Sequence, residues 1–111
     1  MAVKDAALVT KIIAHIDRIQ SYAGDMGKDG FLADSKLLEA CVFNLLQMGE
    51  LACRLTDEFR NTHPEIPWTK IRGLRHKIVH DYEGVDLEII WDIVNNDLAH
   101  LRRQLAGLTL L

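Results

Sequence analysis

The chain is expected to be all-α, an up-down bundle of four helices in which three are long and the third in order is short. Three observations predict this. Apolar residues recur at three- and four-residue spacings along most of the 111 residues, which is the period of an amphipathic helix. No segment alternates with the two-residue period of a half-buried strand. The breaks between periodic stretches are short runs of Gly, Pro and Asp, which suit antiparallel neighbours. With 49% hydrophobic residues, residues 1–111 are enough for one domain and its core, and too few for two.

The first helix is expected over about residues 3–22, with Val9, Ile12, Ile16 and Ile19 as its inward stripe. Gly24, Asp25, Gly27, Asp29 and Gly30 then predict a flexible loop. A second helix begins near Asp34 or Ser35, either of which can cap the free backbone amides. Its seam runs Leu38, Cys41, Leu45, Met48, Ala52, Leu55, Phe59, and it stops before Pro64 and Pro67. A shorter third helix starts around Pro67 and Trp68, proline being tolerated in a first turn, and reaches about His80. Gly84 marks the following turn. Asp86 caps a fourth helix with the seam Leu87, Trp91, Val94, Leu98, Leu101, Leu105, weakened at its end by Gly107. Trp68 and Trp91 are expected as core anchors, and Asn44, beside the second seam, as a hydrogen-bonded interface amide, with a role near the active site left open.

The totals exclude several classes. A net charge of −3 and a pI of about 5.9 argue against a uniformly basic nucleic-acid binder, so any such contact needs a local patch. Cys41 and Cys53 lie twelve residues apart on one helix, about 18 Å at the helical rise and beyond disulfide reach. They are expected as free thiols. Lys4, Asp5, Lys11, His15, Asp17 and Arg18 interrupt every apolar run near the N-terminus, and nothing approaches the ~20 apolar residues of a membrane span. A soluble, cytoplasmic protein with no secretory leader is expected.

The local patch exists. From Lys70 to Lys77 stand four permanent cations, Lys70, Arg72, Arg75 and Lys77, with no acid among them. A solvated helix face usually mixes signs; a single sign suggests an anion, most simply phosphate. At about 100° per residue, Ile71, Leu74, Ile78 and Tyr82 form one apolar stripe and Arg75 falls at its edge, where full solvation is not expected and a partner is needed. A place at an interface would also serve, and taken alone Arg75 could form an intramolecular salt bridge, for instance to a glutamate on a neighbouring helix. Arg72, His76 and His80 project on the other side. Arg75 and His80 diverge by about 140° on a straight helix, so joint action requires a distorted helix end or a second subunit. These residue types suit metal-free phosphodiester cleavage. Histidine moves a proton near neutral pH, arginine stabilises charge growing on phosphoryl oxygens, tyrosine orients the phosphate, and the RNA 2′-hydroxyl supplies the nucleophile.

The spacing Arg75-x4-His80-x-Tyr82 resembles the Arg-x4-His-x-Tyr signature of HEPN domains of the HepT-like toxin group. The flanks Trp68-x2-Ile71-Arg72-Gly73-Leu74 and Asp81-Tyr82-x-Gly84-Val85-Asp86 agree with it, as do Gly49-Glu50 and Asn95-Asn96-Asp97-Leu98. His76 departs from the polar amide that often follows the motif arginine. The resemblance implies a HEPN-like helical homodimer whose two motifs line one cleft. It implies a metal-independent endoribonuclease, the toxin of a type VII toxin–antitoxin pair. Arg75, His80 and Tyr82 would be its catalytic residues, and Lys70, Arg72, His76 and Lys77 would bind the RNA substrate. Its antitoxin would be a minimal nucleotidyltransferase that silences it by AMPylation of Tyr82. No cofactor is implied. Two other readings stay open: a non-catalytic helical module that binds a nucleotide or a nucleotidyltransferase, and a metal site built on His76, His80 and Asp81.

Overall fold

The computed structural model describes residues 3–78 and 87–108, and no strand occurs among them. The first helix, α1 (Val3–Ala23), buries Val9, Ile12, Ile16 and Ile19 completely, the stripe that the periodicity predicts. It ends at Gly24, whose φ of +53° is the left-handed conformation that glycine adopts without a Cβ penalty. The Gly24 amide donates to the Gln20 carbonyl at 2.9 Å and closes the last turn.

The loop expected after Gly24 is partly a helix, α2 (Lys28–Ala33). Its Gly and Asp content argues against a helix, but Phe31 is fully buried and its ring sits 5.3 Å from that of Trp91. Burying an aromatic ring outweighs the propensity deficit of so short a segment.

The next helix, α3 (Ser35–Cys53), starts where its cap predicts, with Asp34 Oδ1 accepting from the Leu37 amide at 3.0 Å. The expectation that it continues past Phe59 is corrected. It stops at Cys53, and a separate helix, α4 (Asp57–Thr62), follows. The cause is a polar junction formed across the fold. Thr56 leaves helical geometry (φ −69°, ψ 151°), and its amide and hydroxyl donate to the two carboxylate oxygens of Asp5 at 2.9 and 2.8 Å. Thr56 Oγ1 also accepts from the Phe59 amide and so caps α4. Asp5 is a buried carboxylate on the otherwise apolar face of α1, and it is satisfied by these two donors.

Pro67 precedes α5 (Trp68–Arg72), and after a turn at Gly73 residues 74–78 are again helical. Trp68 is a core anchor, as expected: it is buried, it packs on Phe59, and its indole N–H donates to the His63 carbonyl at 2.9 Å. The expected end of this helix at His80, the Gly84 turn and the Asp86 cap lie outside the described residues.

The last segment comprises α6 (Leu87–Asp92), a π turn at Ile93–Asp97, and α7 (Leu98–Ala106). Leu98, Leu101 and Leu105 are buried on its expected seam. The π turn is not predicted by the seam. It widens the helix by one residue and presents Asn95, Asn96 and Asp97 to solvent while Ile93 and Val94 stay buried.

The core collects around α1. It packs chiefly along α3 and also against α7, while α5 lies on α3 and α2 bridges α3 and α6. Arg102 of α7 reaches Asp17 of α1 at 2.6 Å. Both cysteines are free. Burial pushes the Cys41 thiol up to about 11, whereas Cys53 is exposed. No described helix is long and apolar enough to cross a membrane.

Candidate active site

The basic segment is set on α3 by one missing side chain. A Cβ at Gly49 would stand 3.2 Å from the Ile71 carbonyl oxygen and 3.4 Å from the Arg75 amide nitrogen. Only glycine lets the two backbones approach this closely without displacement. Ile71, Leu74 and Ile78 fill the space between them as the predicted stripe.

The next residue, Glu50, faces Arg75. The Arg75 guanidinium donates from Nη1 to Glu50 Oε1 at 2.6 Å. The intramolecular salt bridge left open for Arg75 is therefore present, and its glutamate lies on a neighbouring helix. Arg75 is thus not left to solvent alone, although its side chain is still 69% exposed. Leu74 and Ile78 take the inward positions, and the long arginine stem carries the charged head past the helix edge into water. An exposed pair of this kind contributes little to stability. It does fix the direction of one face of the guanidinium and leaves its other donors open to an anion.

Lys70, Arg72, His76 and Lys77 are all exposed. Among the described residues, Lys70, Arg72 and Lys77 have no carboxylate within salt-bridge distance. His80 and Tyr82, together with Asp81 of the metal alternative, lie outside the described residues. Among the described residues, no group of three His, Cys, Asp or Glu side chains could hold a metal ion.

Two features escaped the sequence. Glu50 was visible only as part of the Gly49-Glu50 pair; its charge interrupts an apolar run between Met48 and Leu51, which was a usable signal. The second is a groove of about 610 Å³ between the basic segment and α7. Lys70 and Lys77 stand on one side, Asn96 and His100 on the other, and Leu74 and Leu101 lie among its apolar lining. Asn44 faces α1 and is not part of the groove lining. Its side chain is buried, held by His15 Nδ1 at 2.8 Å and the Ala40 carbonyl at 2.8 Å, so it is satisfied within its own chain.

The chain is similar to proteins of one group. A family model described as "Ribonuclease HepT-like" matches residues 12–108. "Putative RNase MJ0127" of Methanocaldococcus jannaschii is 38% identical over 81% of this chain and 74% of its own length. "Probable ribonuclease HepT" of Thermococcus cleftensis is 32% identical over 78% of this chain and 79% of its own. "Putative RNase TTE0752" of Caldanaerobacter subterraneus is 37% identical over 68% of each. No solved structure matches the chain significantly.

Proposed function

Since the chain belongs to the HepT-like ribonuclease family, we propose that it is a metal-independent endoribonuclease acting through Arg75, His80 and Tyr82, and the toxin of a type VII toxin–antitoxin pair. The observation that carries this reading is the Arg75 guanidinium. It is exposed, oriented by one carboxylate, and set among cations that have no carboxylate partner among the described residues.

In the proposed reaction, His80 takes the proton of a 2′-hydroxyl, and the resulting oxygen attacks the adjacent phosphorus. Arg75 stabilises the charge that grows on the non-bridging oxygens. The bond to the 5′-oxygen breaks, and that oxygen leaves with a proton from solvent or from the second motif of a homodimer. The products are a 2′,3′-cyclic phosphate and a 5′-hydroxyl, and no protein nucleophile is consumed. Tyr82 orients the phosphate, and its hydroxyl is the proposed point of AMPylation by a minimal nucleotidyltransferase antitoxin. A homodimer would supply the convergence that an ideal straight helix denies Arg75 and His80.

The test is cleavage of a labelled single-stranded RNA in the presence of EDTA. Wild-type protein is expected to yield 2′,3′-cyclic phosphate ends, and His80→Ala protein is expected to lose at least about 10²-fold in rate. Undiminished cleavage by the variant removes His80 from the mechanism. No cleavage by wild type above a mock preparation favours a binding module instead.

A further inference from the structure

We infer that the groove between the basic segment and α7 is a nucleobase subsite, which seats one unpaired base of the RNA strand next to the Arg75 site. The inference rests on the ribonuclease reading and deepens it.

The positions around the helix carry the argument. Taken at about 100° per residue, Arg75 and the Lys70/Lys77 pair stand at opposite edges of the buried stripe. Arg72 and His76 lie between them on the exposed face. The basic side chains therefore form a band that crosses the segment from Arg75 to the mouth of the groove. A phosphodiester strand following that band arrives at the groove within a few nucleotides of the scissile bond.

The groove suits a base rather than a bare phosphate. Its lining is mainly apolar, with Leu74 and Leu101 among it, and its volume of about 610 Å³ lies inside the ~300–1,000 Å³ range of small-ligand pockets. Unpaired bases are held by apolar or aromatic platforms and by hydrogen bonds along their edges. Asn96 offers an amide donor and acceptor for a base edge, and His100 stands on the same wall. Lys70 and Lys77 are placed to neutralise the phosphates on either side. Among the described residues Asp97 is the acid on this rim, and the two lysines outweigh it. Asn96 and Asp97 owe their presentation to the π turn, an irregularity that recurs at functional sites in other helices.

The experiment uses isotope-labelled full-length protein titrated with adenosine 5′-monophosphate and, separately, with ribose 5-phosphate. The first ligand is expected to shift amides on both walls, residues 70–77 and 93–101; the second is expected to shift only 70–77. Asn96→Ala removes the base-edge amide from an exposed position, and His100→Ala trims its wall without touching the core. With helical content and melting temperature unchanged, each is expected to weaken adenosine monophosphate binding by at least about fivefold. The inference is overturned if residues 93–101 do not respond, if the base-free ligand moves them equally, or if both variants bind as wild type does. It is also overturned if the groove amides respond to protein concentration alone, which would mark the groove as a contact between copies of the chain. Binding is read without cleavage, so the two readings fail separately. RNA cleavage with a silent groove leaves the ribonuclease reading intact, and a responsive groove in a protein that cleaves nothing removes only the catalysis.

Discussion

At Arg75 the position at the stripe's edge predicts a partner, and Glu50 supplies it. The ion pair with Glu50 is short, yet both side chains are substantially exposed, 69% and 47%. Water screens such a pair, and its stabilising contribution is at most about 1 kcal/mol. Its value lies in direction. Arg75→Ala is therefore expected to leave thermal stability within that margin and to lower RNA cleavage by about 10²–10³-fold, the scale for losing one donor to a developing oxyanion. Glu50→Gln is expected to retain the fold and RNA affinity, since it removes a negative charge beside the substrate. Its cleavage rate is expected to fall by about tenfold, because a less firmly directed guanidinium binds the transition state less well. Parallel melting curves and single-turnover rates check both. A large loss of melting temperature in either variant would assign the pair a structural role.

Among the elements, the junction between α3 and α4 shows how a side chain far away in sequence ends a helix. The seam from Leu38 to Phe59 has an unbroken helical period, and Leu55 and Phe59 are buried as it demands. The interruption comes from Asp5 on α1, which binds both the amide and the hydroxyl of Thr56. Asp5→Ala would leave two donors without their acceptor, and hydrogen bonds to a charged group are worth about 1.5–3 kcal/mol. The variant is expected to lose about 2–3 kcal/mol of unfolding free energy in urea, on the same mutational scale, and Asp5→Asn is expected to recover part of it. The Gly49 contact works at the same scale. It costs α3 some helix propensity, and in return brings the Arg75 backbone against α3 so that Glu50 can reach the guanidinium.

Across the whole molecule, the first and last described helices are tied by Asp17 on α1 and Arg102 on α7. The Arg102 guanidinium hydrogen-bonds the Asp17 carboxyl and holds it below the usual carboxylate range. The sign follows from linkage. The folded state binds the proton of Asp17 less readily than the unfolded chain, so this contribution is complete above the ordinary carboxylate value, and it fades as pH falls through the lowered one. Asp17→Asn is expected to be less stable than wild type at pH 7 and to converge with it in the acid range. Denaturant midpoints measured across pH check this, and a constant difference at every pH would rule the bridge out as the cause. The charge distribution is likewise a whole-molecule property. An acidic chain gathers four of its 13 Lys and Arg residues, with no acid among them, between Lys70 and Lys77, so RNA affinity is expected to be local and sensitive to salt.

Much of this protein is legible in the order of its residues, because periodicity and capping are local properties. The α1 stripe, the Asp34 cap, the Trp68 anchor and the acid-free cluster from Lys70 to Lys77 all depend on neighbours within a turn or two. The all-α class follows from them. What the residue order does not contain is any contact between distant segments. The break at Thr56 depends on Asp5, the short helix at Phe31 depends on Trp91, and the pairing of Arg75 with Glu50 depends on how Gly49 seats the Arg75 backbone on α3. The groove exists because the basic segment and α7 stand apart beside a π turn. Each of these is a matter of packing in three dimensions, where burial and satisfied polar groups outweigh local preference.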